Sequence, residues 1–151
     1  MPERRRSAGP QIVLGFDFGR RRIGVASGDT LTGGSHALDT VACGAAGPDW
    51  AHIDRLISQW KPALNVVGLP YNADGTESKV ADGARRFAWE LGDRSGIPVE
   101  FVDERYSSLE SYARLKDARA TGARKRRVAK SDIDASAACV ILERWFALAI
   151  R

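Results

Sequence analysis

Branched and apolar residues fall into three short runs near the start of the chain. The runs cover residues 11–17, 22–27 and 35–41, and short runs of this kind are typical of β-strands. Gly19 follows the first run and the Gly33-Gly34 pair precedes the third, and glycine favours the tight turns that join neighbouring strands. The pattern therefore predicts an antiparallel meander of three strands.

The rest of the chain alternates between helical stripes and apolar runs. The first stripe, after Pro48-Asp49, consists of Ile53, Leu56, Ile57 and Trp60. Residues 63–69 are almost wholly apolar, which is typical of a buried parallel strand, and residues 97–102 form a further short strand. Further helices are predicted at about 76–91, with Gly92 near its stop, at about 107–118 and at about 131–149. This order predicts a mixed α/β sheet with helices packed on both faces.

Length and composition predict one domain. The chain has 151 residues, 44% of them hydrophobic and 28% charged, so we expect a disordered basic tail at 1–10 and a single domain at 11–151. No apolar run approaches the roughly 20 residues of a membrane span, and the arginines of the tail are not followed by an apolar segment, which predicts a cytoplasmic protein. Cys43 and Cys139 are far apart in the sequence and are expected to be reduced packing thiols.

Positive charge is concentrated in one segment. The formal net charge is +4, which favours an anionic partner only weakly when it is spread over the surface. The concentrated residues, close to Gly122, are Arg119, Arg124, Lys125, Arg126, Arg127 and Lys130. This density indicates a loop that contacts phosphates, and the alternative is a solvated charged loop.

Asp17 stands at the end of the first apolar strand. A strand this apolar carries the Asp17 carboxylate toward the core, where an unpaired charge costs several kcal/mol. The alternative is that Asp17 caps the following turn by accepting hydrogen bonds from nearby backbone N–H groups. Its interpretation therefore depends on the other acids of the chain.

Asp103 and Glu104 stand at the end of the last predicted strand. Successive side chains of a strand point to opposite faces of the sheet. Phe101 and Asp103 are therefore expected on one face, and Val102 and Glu104 on the other. If this strand lies near the first one, either acid could share a pocket with Asp17, and the spacing leaves the choice between them open.

Asp134 stands in the first turns of the last helix. It lies on the same predicted stripe as Ala137, Ala138 and Ile141, the face that packs on the sheet. The alternative is a role at the helix start, where Ser131 and Asp134 fit a weak capping box and acids favour the helix dipole.

Acids from distant segments suit a hard divalent cation with oxygen ligands, Mg²⁺ or Mn²⁺. Two such ions about 4 Å apart can activate a water and stabilise the leaving oxygen in phosphodiester hydrolysis. His36 and His52 have no apparent partner in the sequence, so neither is chosen as a general base.

Four groups of residues resemble a known family. The groups are Phe16-Asp17-Phe18-Gly19 with residues 22–26, Val67-Gly68-Leu69-Pro70 with Asp74-Gly75-Thr76, Asp103-Glu104-Arg105 with Ser107-Ser108, and Lys130 with Ile133-Asp134 and Ala137-Ala138. In this order and spacing they resemble the pre-16S rRNA nucleases, also described as Holliday-junction-resolvase-like, over nearly the whole chain.

The resemblance implies an RNase H-like fold with a five-stranded sheet and metal-dependent cleavage of nucleic-acid phosphodiesters. It implies Asp17, Glu104 and Asp134 as catalytic and metal-binding acids, which favours Glu104 over Asp103, and a role in maturing the 5′ end of 16S rRNA during ribosome biogenesis. One departure is Asp132, where a basic or neutral residue is more usual. The candidate substrate-binding residues are Arg22, Lys130, Arg124, Lys125, Arg126 and Arg127, with Asp103, Asn72 and Arg105 as further candidates.

Other functions fit parts of the pattern. A Holliday-junction resolvase acting on branched DNA would use the same acids, and a non-catalytic RNA-binding assembly factor would need only the fold and the basic loop. The segment around Asp17 and Gly19 also resembles the phosphate-binding start of actin-like ATPases, which require two lobes where this chain supplies one. Nucleic acid is the expected partner, and the chain is expected to be a monomer or a homodimer.

Overall fold

The computed structural model describes residues 11–69, 80–103 and 130–149, with the side chains of residues 130–134 and 149 excepted. The predicted tail at 1–10, the predicted helix at 107–118 and the basic segment at 119–127 lie outside the described residues.

The strands of the described residues form one six-stranded mixed sheet in the order β4-β3-β2-β1-β5-β6. Their bounds are β1 Ile12–Phe18, β2 Arg22–Asp29, β3 Ser35–Gly44, β4 Gly47–Pro48, β5 Leu64–Leu69 and β6 Val99–Asp103. The first four strands form antiparallel pairs in sequence, whereas β5 runs parallel to both β1 and β6. The predicted meander and α/β class are confirmed.

The sheet has one strand more than the five expected. The additional strand is the two-residue β4, in which Gly47 pairs with Gly44 of β3. Gly47 has a φ of 99°, a conformation that glycine adopts readily and other residues rarely do. The chain therefore forms a hairpin between β3 and β4 that the hydrophobic pattern does not predict.

Three helices accompany the sheet in the described residues. They are α1 Trp50–Trp60, α2 Val80–Ser95 and α3 Lys130–Ala149. The Asp49 side chain caps α1 by accepting from the backbone N–H of His52 at 3.3 Å. The stop predicted at Gly92 is wrong, because α2 continues to Ser95 and the chain turns at Gly96, which has a φ of 70°. None of these helices is long and apolar enough to cross a membrane.

The helices cover the two faces of the sheet. On one face, here called the α1/α2 face, Leu14 and Phe16 of β1 pack with residues of α1 and α2. On the other, the α3 face, Val13 packs with Ile141 and Leu142 of α3. Each face has its own hydrophobic core, and the two cysteines are buried free thiols, as expected.

Helix α3 runs antiparallel to β1. Ala138 and Leu142 lie against Gly15, whereas Phe146 lies against Gly28, which is paired with Val13 earlier in β1. The chain direction of α3 is therefore opposite to that of β1. The amino-terminal turns of α3 consequently lie toward the carboxyl end of β1.

Candidate active site at the carboxyl edge of the parallel strands

Asp17 lies next to the end of β1, on the α3 face. It alternates with Val13 and Gly15, which both contact α3, and it pairs with Gly24 of β2. The Asp17 residue is half-buried and has an interaction partner. This position matches the predicted one, a carboxylate carried to the rim of the core by an apolar strand.

Gly15 sets the distance between β1 and α3. A Cβ atom at this position would lie 2.6 Å from Leu142 Cγ and 3.1 Å from the Ala138 carbonyl oxygen. Both distances are shorter than comfortable van der Waals contact, so a larger residue would push the helix away. The glycine two residues before Asp17 therefore lets α3 pack closely beside the acid.

The end of β6 lies at the same edge of the sheet. β5 separates β1 from β6, and the pairing of Leu69 with Asp103 brings Asp103 to the carboxyl end of the parallel strands. Val102 packs in the α3-face core, whereas Phe101 lies under Arg85 of α2, whose Cζ is 5.5 Å from the ring centroid. The predicted alternation is confirmed for these two residues.

A hydrogen bond ties the end of β6 to α3. Arg144 Nη1 donates to the backbone oxygen of Asp103 at 2.9 Å. The Asp103 residue is half-buried and has an interaction partner. Glu104, the preferred second acid, is the next residue and lies outside the described residues.

The backbone of α3 brings Asp134 to the same region. Asp134 lies one turn before Ala138, the residue whose carbonyl oxygen faces Gly15. Lys130 is the first residue of the helix. Within the ranges that the structure describes, no three acidic, histidine or cysteine side chains cluster in a way that could hold a metal ion, and those ranges exclude Glu104 and the Asp134 side chain. The predicted triad therefore stays a prediction.

Arg22 is the cation closest in register to Asp17. It opens β2 two residues before Gly24, the partner of Asp17, so it is a diagonal cross-strand neighbour on the same face. Arg22 is half-buried and has an interaction partner, while Arg20 and Arg21 are exposed in the turn. Gly19 is required in this turn, because a Cβ there would lie 2.7 Å from the Arg22 carbonyl oxygen.

The remaining candidates lie outside the described residues. They are Asn72, Arg105, Arg124, Lys125, Arg126 and Arg127. Their predicted roles in substrate binding stay predictions.

The expectation that His52 has no partner is wrong. His52 Nε2 lies 2.7 Å from Asp39 Oδ2, which joins α1 to β3. Asp39 alternates with Val41 and Cys43, which pack in the α1/α2 core, so the pair lies on the opposite face from Asp17. The alternation along β3 indicates which face of the sheet Asp39 lies on. It does not predict the contact with His52, which depends on how α1 packs on that face.

Comparison with solved structures identifies the fold. T. thermophilus RuvC in complex with Holliday junction substrate superposes with a TM-score of 0.53 at 17% sequence identity, covering 93% of this chain and 96% of RuvC. Fowlpox virus resolvase in complex with Holliday junction DNA gives the same TM-score at 8% identity, covering 93% of this chain and 99% of the resolvase. The chain therefore has the fold of these resolvases.

Sequence comparison identifies the family. The family model described as "RuvX: Holliday junction resolvase" matches residues 11–148. A "Putative pre-16S rRNA nuclease" of Azotobacter vinelandii is 42% identical, covering 93% of this chain and 96% of the relative. A protein of the same name from Xanthomonas campestris is 44% identical, covering 96% of this chain and 93% of the relative. The chain belongs to the RuvX family.

Proposed function

We propose that the chain is a metal-dependent nuclease that hydrolyses phosphodiester bonds in structured nucleic acid, processing precursor 16S rRNA at its 5′ end. One observation carries the proposal: the half-buried Asp17 lies at the carboxyl end of a central strand, on the face where α3 begins. Sites in mixed α/β sheets form at this edge. The names of the relatives supply the choice of substrate.

The donor set suits divalent ions with oxygen ligands. Asp17, Glu104 and Asp134 would hold Mg²⁺ or Mn²⁺, because carboxylate oxygens are the ligands that these cations prefer. The His52 ring offers no competing site, since it contacts Asp39 on the other face. When bound, such ions would supply Lewis-acid chemistry, which lowers the pKa of a water and stabilises a leaving oxygen.

The protein's own residues orient the substrate at this edge. Arg22, diagonal to Asp17 on the same face, offsets the charge of the phosphate that is cut. Arg144 holds the Asp103 carbonyl and thereby anchors the segment that leads into Glu104. Lys130 and the basic residues Arg124 to Arg127, with Asn72 and Arg105, contribute further contacts with the strand.

The family description favours a second candidate, a resolvase of four-way DNA junctions. A junction resolvase must cut two strands symmetrically, which requires two active sites related by a twofold axis. This candidate therefore predicts a homodimer and a preference for branched DNA. The rRNA nuclease has no such requirement, so this candidate is compatible with a monomer or a homodimer.

A cleavage panel separates these candidates. The substrates are precursor 16S rRNA with its 5′ leader, a four-way DNA junction and single-stranded RNA, each with Mg²⁺, Mn²⁺ or EDTA. We expect metal-dependent cleavage of the precursor, and a loss of about 10²-fold or more in Asp17→Asn, because the loss of one charged ligand removes an electrostatic contribution of this size. Binding of the precursor should be largely retained.

The matched control is Asp93→Asn, the same chemical change at an exposed position of α2. Its cleavage rate should equal that of the wild type. Full activity in Asp17→Asn would refute the proposed site, and preferential cutting of the junction by a dimer would favour the resolvase. Binding without cleavage by any of the three proteins would indicate an assembly factor.

A further inference from the structure

A groove of about 590 Å³ lies on the α1/α2 face, beside the turn that follows Asp17. One side is formed by Phe18 and the β3-β4 hairpin, and the other by the first half of α2. Trp50 and Phe87, stacked with ring centroids 5.4 Å apart, belong to its wall. Arg94 lies over the Trp50 ring with its Cζ 4.8 Å from the centroid, so these rings form a fixed apolar wall of the groove.

Two arginines of the groove have no acidic partner among the described residues. Arg20 reaches it from the turn after β1 and Arg86 from α2, and neither forms a salt bridge in the described part of the chain. Of the two acids in the lining, Glu90 lies 3.7 Å from Arg94, whose charge offsets it. Apart from Glu90, the lining therefore has one negative charge, on Asp82, and two positive charges, on Arg20 and Arg86.

The groove is continuous with the candidate active site. Phe18, in its wall, directly follows Asp17, and the two side chains point to opposite faces of the sheet. The turn that follows Phe18 carries Arg20 and Arg21 and leads into Arg22, the first residue of β2. The backbone N–H of Cys43 donates to the Arg21 carbonyl oxygen at 2.8 Å and holds this turn against β3. Cations therefore continue from Arg86 over the turn to the Asp17 side.

We propose that this groove binds the phosphodiester backbone of a single-stranded segment that continues from the strand at Asp17. The inference rests on the proposed nuclease function and adds a second binding site on the opposite face of the sheet. Arg20 and Arg86 contact successive phosphates of this segment. We expect a single-stranded rather than a duplex ligand, because the path from the groove to Asp17 bends sharply over the turn after β1.

The test measures binding separately from cleavage. Fluorescence anisotropy in EDTA follows a labelled single-stranded RNA of about 12 nucleotides, with all variants in the Asp17→Asn background. We expect Arg20→Glu and Arg86→Glu each to weaken binding by about threefold to tenfold. The slope of log K against log salt should become shallower by about 0.7 for each phosphate that the variant no longer neutralises. Arg55→Glu, an exposed arginine of α1 outside the groove, is the matched control and should bind within about twofold of the parent.

Two further variants test charge and shape separately. Asp82→Asn removes the acid of the groove and should strengthen binding, an effect that a structural defect would not produce. Ala45→Trp places a large neutral ring at the exposed rim and should weaken binding without changing the salt slope. Thermal melting of each variant checks that it is folded.

The two proposals fail in different ways. If the enzyme cleaves RNA but Arg86→Glu and Ala45→Trp bind like Arg55→Glu, the groove proposal is overturned and the nuclease stands. If no cleavage occurs but binding depends on Arg86 and Asp82 as expected, the groove stands and the nuclease fails. Competition by adenosine monophosphate as strong as that by the oligonucleotide would also overturn the groove as a strand-binding site.

Discussion

The two faces of the sheet are packed with residues of different size. On the α3 face, Gly15, Ala26 and Ala138 allow the helix to lie close to the strands. On the α1/α2 face, the Phe87 ring contacts Phe16, Phe18 and Trp50 with centroid distances of 5.4 to 5.6 Å. Small residues bring a helix near the sheet, whereas aromatic rings hold the helices farther away.

This difference in packing accompanies two different surfaces at the same edge. The close approach of α3 brings its first turns toward Asp17. The aromatic layer on the other face fills the space under α2 but leaves a groove beside Phe18. The end of β1 therefore has the Asp17 carboxylate on the α3 face and the groove with Arg20 and Arg86 on the α1/α2 face.

The largest effect should come from removing the aromatic layer. Phe87→Ala deletes a side chain that is 3% exposed and contacts three rings, so we expect a loss of about 3 to 5 kcal/mol in the free energy of unfolding. Urea denaturation measures it. Trp89→Ala, on the same helix but 73% exposed, should change stability little. Equal stability of the two variants would contradict the packing described for this face.

The next largest effect should come from enlarging a small residue on the α3 face. Gly15→Val would force atoms against Leu142 and the Ala138 carbonyl, and such overpacking costs about 1 to 3 kcal/mol. Because α3 would move away from Asp17, cleavage should fall by more than the loss of folded protein explains. Urea denaturation and cleavage rates measured on the folded fraction check both expectations.

The control for this change is Gly92→Ala in α2, outside the groove. A Cβ at Gly92 would lie 3.5 Å from Val99 Cγ2, an ordinary van der Waals contact, so stability should not fall and cleavage should stay at the wild-type level. A Gly15→Val protein that is destabilised but cleaves normally when folded would separate the packing of α3 from the site.

The smallest effect concerns the turn after β2, distant from both surfaces. The backbone N–H of Thr32, above all, and that of Leu31 donate to Asp29 Oδ1, which lowers the pKa of this carboxyl group. A lowered folded-state pKa means that the stabilisation is present at neutral pH and is lost as the pH falls below about 3.9, the usual value. Asp29→Asn should therefore lower Tm slightly at pH 7, and the difference from wild type should vanish at low pH. Asp93→Asn, the same chemical change at an exposed position of α2, is the matched control for the Tm measurement.

The placement of Asp17 and of the end of β6 was predictable because it depends on local pattern. The apolar run before Asp17 predicted its position at the strand end, and alternation predicted that Phe101 and Val102 face opposite sides. The His52–Asp39 pair and the groove were not predictable, because each joins side chains from elements whose packing the local pattern does not specify. The short strand β4 depends on the positive φ of Gly47, which leaves no trace in hydrophobic spacing.

Apart from β4, the sequence by itself determined the described strands and helices and their buried faces, since periodicity along a strand or helix reflects directly which side is removed from water. Only the tertiary structure decided that β5 lies between β1 and β6 and that α3 packs closely against Gly15. Strand order and helix distance depend on which apolar surfaces meet across long separations in the chain. The position of Asp17 on β1 is therefore a property of the sequence, whereas its surroundings, with α3 on one face and an arginine-lined groove on the other, are a property of the fold.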